Sequence, residues 1–213
     1  MRCYIYVGGA IDAANITERP EKEDLVIAAD SGYDTATSLG VTPAVMVGDF
    51  DSVKAKKILD GVEIYRVPAE KDLTDTQLAV EIALSRGMRD LVIIGGLSGR
   101  LDHTMSNLGL LEHLDKQHVC AVMTDGVNRV RFIRNNSTLV PRGGYRYLSL
   151  IVADDVAKGV EVLGCKYPLK KATLRRTHQY AISNELTGNC AMISVKRGGL
   201  FVIESKEDSY GKH

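Results

Sequence analysis

The segment DLVIIGGLSGRLDHTMSN, residues 90–107, runs from a short apolar stretch through a glycine-rich turn into a helix start near Leu101. A strand that hands over to a helix in this way is half of a βαβ unit. The same texture recurs upstream and downstream in CYIYVGG, DLVIAAD, PAVMVGDF, VEIYRVP and HVCAVMTD, each followed or preceded by helix-like sequence. Nearly continuous apolar strands suit a parallel sheet covered on both faces. One intervening helix is well punctuated: Thr74 and Gln77 have the spacing of a capping box, and Gly87 follows the last turn.

Beyond Asp125 the pattern changes to short alternating runs: VNRVRFIRN, STLVP, YRYLSLIVA, KGVEVLG, KATLRR, QYAISNEL, CAMISVKR and LFVIES, separated by Gly, Asn and Pro. Such segments predict an all-β sandwich or small barrel. The expected architecture is therefore an α/β N-terminal domain with a mostly parallel, doubly wound sheet over residues 1–130, followed by an all-β sandwich over residues 131–213.

The 213 residues carry 27 Lys and Arg against 27 Asp and Glu, so no global field points to nucleic acid or an acidic membrane. No signal-peptide pattern opens the sequence and no apolar run reaches about 18 residues, which predicts a cytoplasmic protein without a transmembrane helix. The basic run KYPLKKATLRR lacks the interleaved aromatics of a single-strand binder and reads as a solvated strand face. Cys3, Cys120, Cys165 and Cys190 form no C-x-x-C pair, and all four read as reduced. Cys3 and Cys120, inside apolar runs, are expected to behave as small hydrophobes.

Open parallel sheets bind ligands beyond the carboxyl ends of their strands. Four apolar runs lead at that end into Asp30-Ser31-Gly32, Asp49 and Asp51, Asp72 and Asp75, and Arg100 with Asp102. Each has a plain alternative: Asp49 and Asp51 as turn residues, Asp75 as a first-turn charge, Asp102 as a helix cap. Crowded on one rim, however, like charges repel unless a cation is present. Extended, Asp49 and Asp51 would point to one side of the chain about 7 Å apart at Cα, with Phe50 turned the opposite way into packing. Hard oxygen ligands select Mg²⁺ or Ca²⁺, and Mg²⁺ combines one or two carboxylates with water and substrate phosphates. GGLSGR supplies the phosphate half of this reading, through Gly95 and Gly96 at the turn and the donor fork of Arg100. It is neither a dinucleotide fingerprint nor a P-loop.

Taken together, VGDFDSV (47–53), EKDLTDTQLA (70–79), GGLSGRLDHTMSN (95–107), GCKYPL (164–169) and ISNE (182–185) resemble the thiamine pyrophosphokinase family, in the family's order and over most of the chain. The resemblance implies a homodimer that transfers the pyrophosphoryl group of ATP to thiamine with Mg²⁺; the charge balance adds the expectation of no nucleic-acid or membrane partner. It assigns Asp49, Asp51 and Asp72 to the metal, and Asp75, Arg100 and Asp102 to the surrounding catalytic site. It implies ATP contacts at Asp30, Ser31, Gly32, Gly95, Gly96 and Arg100. Lys166, Tyr167, Ser183 and Asn184, near Pro168, would shape the thiamine end at the subunit interface. Ser31 departs from the family's frequent second glycine, and the chain has no tryptophan, so aromatic packing on thiamine falls to Tyr or Phe. A pterin pyrophosphokinase would use the same acidic motifs, and GCKYPL with ISNE favours thiamine. An aspartyl-nucleophile phosphatase or a binding-only sensor are the other readings.

Overall fold

The computed structural model describes residues 1–49, 61–66 and 72–206. Phe50 and Asp51, with the orientation expected of them, lie outside those residues. The chain forms two compact units, divided after Gly126.

In the first unit six parallel strands, β1 (Cys3–Tyr6), β2 (Leu25–Ala29), β3 (Val45–Gly48), β4 (Glu63–Arg66), β5 (Asp90–Ile94) and β6 (Cys120–Thr124), lie in the order β4-β3-β2-β1-β5-β6. Among the described residues three α-helices accompany them: α1 (Gly32–Ser38), α2 (Asp75–Ser85) and α3 (Leu101–Lys116). Alternation along the strands explains the two covered faces. Tyr4, Tyr6, Val26, Val92 and Ile94 cluster with Ala36 of α1, while the intervening Cys3, Ile5, Ile27 and Ile93 are fully buried too. The chain winds outward from β1 through β2 and β3 to β4, then returns to β1's other side at β5. That reversal opens a crevice beyond the carboxyl ends of β1 and β5.

Helix α2 begins as its sequence dictates. Thr74 Oγ1 accepts from the Gln77 amide at 3.2 Å, Gln77 Oε1 accepts from the Thr74 amide at 2.8 Å, and Gly87 follows the C-cap with φ +78°. The fixed helix start sets Asp75 at the rim of the sheet.

The second unit is a β-sandwich. One sheet is β7 (Asn128–Arg134), β13 (Gly199–Ser205) and β9 (Tyr147–Val152). The other has the order β11 (Leu169–Arg175), β10 (Val156–Leu163), β12 (Cys190–Ser194), β8 (Ser137–Pro141), all antiparallel. Inward residues of both sheets, among them Ile133, Leu148, Leu150, Val160, Val162, Ile193, Leu200 and Val202, make one core. Glu204 is buried on this inner side, and it is paired as a buried charge must be: Arg129 reaches it at 2.6 and 2.8 Å and Arg131 at 2.9 Å.

Two expectations need correction. QYAISNEL is not a strand; it crosses the unit as irregular chain with isolated bridges at Leu148–Asn184 and Cys165–Leu186, because Ser183 takes φ +58° and turns the backbone out of any ladder. Cys120 is exposed, since it is the first residue of β6 and that strand becomes buried only toward Met123 and Thr124.

All four cysteines are free; Cys3 and Cys165 are buried and Cys120 and Cys190 exposed. Desolvation pushes the Cys3 thiol up to about 12 and raises that of Cys165. A thiol reagent applied to the native protein at pH 8 is expected to modify Cys120 and Cys190 and to reach Cys3 and Cys165 only after denaturation. Rapid native labelling of Cys3 would contradict this packing.

Candidate active site

Four chain segments meet beyond the strand ends of the first unit and leave a cleft of about 340 Å³. From the end of β1 come Val7, Gly8 and Gly9; from β2, Asp30 and Ser31; from the turn between β5 and α3, Gly96, Ser98, Gly99 and Arg100. Thr74, Asp75 and Thr76 at the start of α2, with His103 and Asn107 of α3, complete the lining.

The segments come this close because side chains are missing between them. A Cβ on Gly9, at φ +109°, would stand 2.9 Å from Ser98 Oγ and 3.4 Å from the Gly96 nitrogen. Backbone bonds hold the floor: Gly96 N–H donates to Gly8 C=O at 3.0 Å, Gly95 N–H to Thr124 C=O at 2.8 Å, and Ser98 Oγ to Ala10 C=O at 3.0 Å. A floor of glycine backbone beside an arginine suits an anionic, phosphate-like ligand.

The cleft thus brings together Asp30, Ser31, Asp75, Gly96 and Arg100 of the sequence-derived site. Asp49, half-buried just past β3, and the exposed Asp72 and Asp102 stand outside its lining. Gly95 supports the turn from below. Gly32 serves packing: a Cβ there would sit 2.0 Å from Tyr6 O. Gly8, Gly9, Thr76, Ser98 and Asn107 went unread in the sequence, although the glycine pair ending CYIYVGG carries the same signal as the pair ending DLVIIGG.

Arg100 and Asp102 hold one another. The guanidinium gives Nε to Oδ1 at 3.2 Å and Nη2 to Oδ2 at 2.6 Å, and the His103 amide donates to Asp102 Oδ1 at 2.9 Å. Asp102 therefore does not cap α3 from outside, as its position suggested; the N-cap is Arg100, with an extended backbone. The Arg100 hydrogen bonds hold the Asp102 carboxyl down to about 2.

A metal fits the carboxylate edge by donor chemistry. Asp30, at φ +47°, and Asp49 end adjacent strands, and a Cβ on Gly48 would stand 3.3 Å from Asp30 Cα. Among the described residues no three His, Cys, Asp or Glu gather into a metal cage. Mg²⁺, which keeps several waters, needs only one or two carboxylates.

The second unit has its own cavity, lined by Leu148, Leu150, Val162, Leu169, Ala181 and the more exposed Tyr167, Tyr180 and Ile182, with Asn184. Asn184 is committed to the chain: its Oδ1 accepts from the amides of Tyr167 at 3.0 Å and Glu185 at 2.9 Å, and its Nδ2 donates to Tyr167 C=O at 2.8 Å. Its side chain fixes Tyr167 at the cavity. Lys166 and Ser183 do not line it; Lys166 Nζ lies 5.5 Å from the Tyr167 ring centroid, and the Ser183 amide donates to Ser149 Oγ at 3.0 Å.

Residues 17–123 match the family model described as thiamin pyrophosphokinase, catalytic domain, and residues 136–200 match the one described as thiamin pyrophosphokinase, vitamin B1 binding domain. The chain belongs to the thiamine pyrophosphokinase family. It is thus an enzyme of the thiamine diphosphokinase class. Thiamine pyrophosphokinase of Bacillus subtilis (strain 168) is 28% identical over 207 residues, 91% of this chain and 92% of that one. Thiamin pyrophosphokinase 1 of Caenorhabditis elegans is 26% identical over 179 residues, 76% of this chain and 70% of that one. A crystal structure of thiamine pyrophosphokinase from Bacillus subtilis superposes with a TM-score of 0.88 at 27% identity, covering 98% of this chain and 100% of that one. The fold alone extends to yeast thiamin pyrophosphokinase, with a TM-score of 0.71 at 17% identity over 96% of this chain and 86% of that one.

The Arg100–Asp102 pair is open to direct test. Carboxyl-detected NMR titration is expected to give an Asp102 midpoint near 2, and Arg100→Ala should return it toward the ordinary aspartate value of about 3.9. A midpoint indifferent to Arg100 would break the pair.

Proposed function

We propose that this family member transfers the pyrophosphoryl group of ATP to the primary hydroxyl of thiamine, and that the first unit's cleft takes the phosphate chain. The observation that carries the assignment is the glycine floor closed by Gly8, Gly9 and Gly96 with Arg100 at its edge. The thiamine hydroxyl oxygen forms a bond to the β-phosphorus while the bond from that phosphorus to the α,β-bridging oxygen breaks. AMP leaves with the bridging oxygen, and thiamine keeps both outer phosphoryl groups.

Such chemistry needs alignment and neutralised charge more than covalent help. The backbone of the glycine turns places the phosphates, and Arg100, turning from Asp102, meets their oxygens. Asp49, Asp51 and Asp72 would hold Mg²⁺, which when bound neutralises charge on the phosphate oxygens. The hydroxyl's proton goes to a carboxylate. Asp72 and Asp102 are the candidates for that role, and Asp102 loses the arginine that lowers its pKa once Arg100 turns to the phosphates.

We place thiamine at the cavity of the second unit, where Tyr167 and Tyr180 supply flat apolar surface in place of tryptophan. The working form in this reading is a cytoplasmic homodimer with the site at the subunit interface. Exposed Tyr167, Tyr180 and Ile182, at 60, 49 and 43% around one cavity, support an association surface on the second unit.

Incubation with ATP, Mg²⁺ and thiamine, followed by phosphorus NMR, is expected to show AMP and thiamine diphosphate; ADP with thiamine monophosphate would contradict attack at the β-phosphorus. Asp49→Asn should fold normally and lose about 10²- to 10³-fold in kcat, the usual cost of removing one electrostatic contact. Near-normal turnover at saturating Mg²⁺ would remove Asp49 from the metal site.

A further inference from the structure

Helix α3 faces the core with Asn107, Leu110, Leu111 and Leu114, a stripe at helical spacing in which only the first member is polar. Leucine at position 107 would continue the pattern without the cost of burying an amide. Asn107 is 8% exposed, lines the cleft, and gives Nδ2–H to Gly96 C=O at 2.9 Å. The turn it reaches, residues 96–100, ends on the N-cap of the same helix, so Asn107 grips the turn's first peptide while the helix start fixes its last residue, Arg100. The fit is tight: Gly96 has φ +76°, and a Cβ there would lie 2.7 Å from Asn107 Nδ2.

We propose that Asn107 is a positioning residue of the nucleotide site, setting the 96–100 turn so that its backbone and Arg100 meet the phosphate chain. The inference rests on the ATP reading above and narrows it: Asn107 governs the nucleotide and leaves thiamine alone. An amide is required because it donates; an ionised aspartate of the same shape can only accept and would face the Gly96 carbonyl with a charge.

The test uses Asn107→Leu and Asn107→Asp in the full-length enzyme. Asn107→Leu extends the apolar stripe but strips the buried Gly96 carbonyl of its donor, so its Tm is expected to fall by a few degrees at most while the KM for ATP rises at least tenfold and the KM for thiamine stays within twofold. Asn107→Asp should show the same split. Calorimetric titration with α,β-methylene-ATP and Mg²⁺, which needs no turnover, should show the same weakening. A purely structural Asn107 would lower Tm and move both KM values together, and that result, or an unchanged KM for ATP in both variants, overturns the proposal. If the parent enzyme neither binds α,β-methylene-ATP nor forms AMP, the ATP reading itself fails and the proposal with it. Equal binding by an active parent and its variants removes Asn107 alone.

Steric coupling gives a second check. Gly96→Ala drives a methyl group at the Asn107 amide, so its cost to ATP affinity should shrink when combined with Asn107→Ala; strict additivity would show that the two residues do not touch functionally.

Discussion

The carbonyl oxygen of Tyr6 lies where a Cβ on Gly32 would be 2.0 Å away, so helix α1 starts directly upon the end of β1. The same closeness recurs wherever the chain crosses that end of the sheet, at Gly9 against Ser98 and at Gly96 against Asn107. A side chain at Gly32 would collide with backbone, and at Gly9 and Gly96 a positive φ adds strain to the tight contact, so glycine brings separate chain segments to one floor. Sheet order does the rest. Because β1 is the strand from which the chain winds first one way and then the other, its neighbours diverge above it and leave a crevice. Backbone at the bottom and polar side chains at the rim follow from those two facts.

The rim is electrostatically self-contained. Arg100 rests against Asp102, two residues away, with both side chains largely in solvent. An exposed pair of this kind is worth little to stability. Its consequence is local: the guanidinium is held at the cleft and already oriented, and a phosphate needs only to compete with one solvated carboxylate.

Much of the architecture could be read from the chain because its signals are local. Apolar runs of strand length, the Thr74–Gln77 capping box and the change of texture after residue 125 each depend on neighbours in sequence, and each element formed where those neighbours required it. What escaped reading depends on tertiary partners. QYAISNEL has a strand-like composition, yet Ser183 turns left-handed and Asn184 spends its amide on Tyr167, 17 residues back along the chain. Cys120 lies in an apolar run but at the end that precedes burial. Asn107 looks like one more polar residue at a helix start until the helix is seen to bury it. Among the acidic motifs, that Asp75 lines the cleft while Asp102 holds Arg100 was not legible, since both sit in the first turn of a helix and differ only in what lies opposite.

The central claim is that the strand-end cleft, floored by Gly8, Gly9 and Gly96, receives the phosphate chain. The most direct measurement is a crystal structure of the enzyme grown with Mg²⁺, α,β-methylene-ATP and thiamine. The account predicts phosphate oxygens within hydrogen-bonding distance of the 96–100 turn, with the Arg100 guanidinium turned from Asp102 toward them. A triphosphate bound away from that floor, with Arg100 still on Asp102, would contradict it.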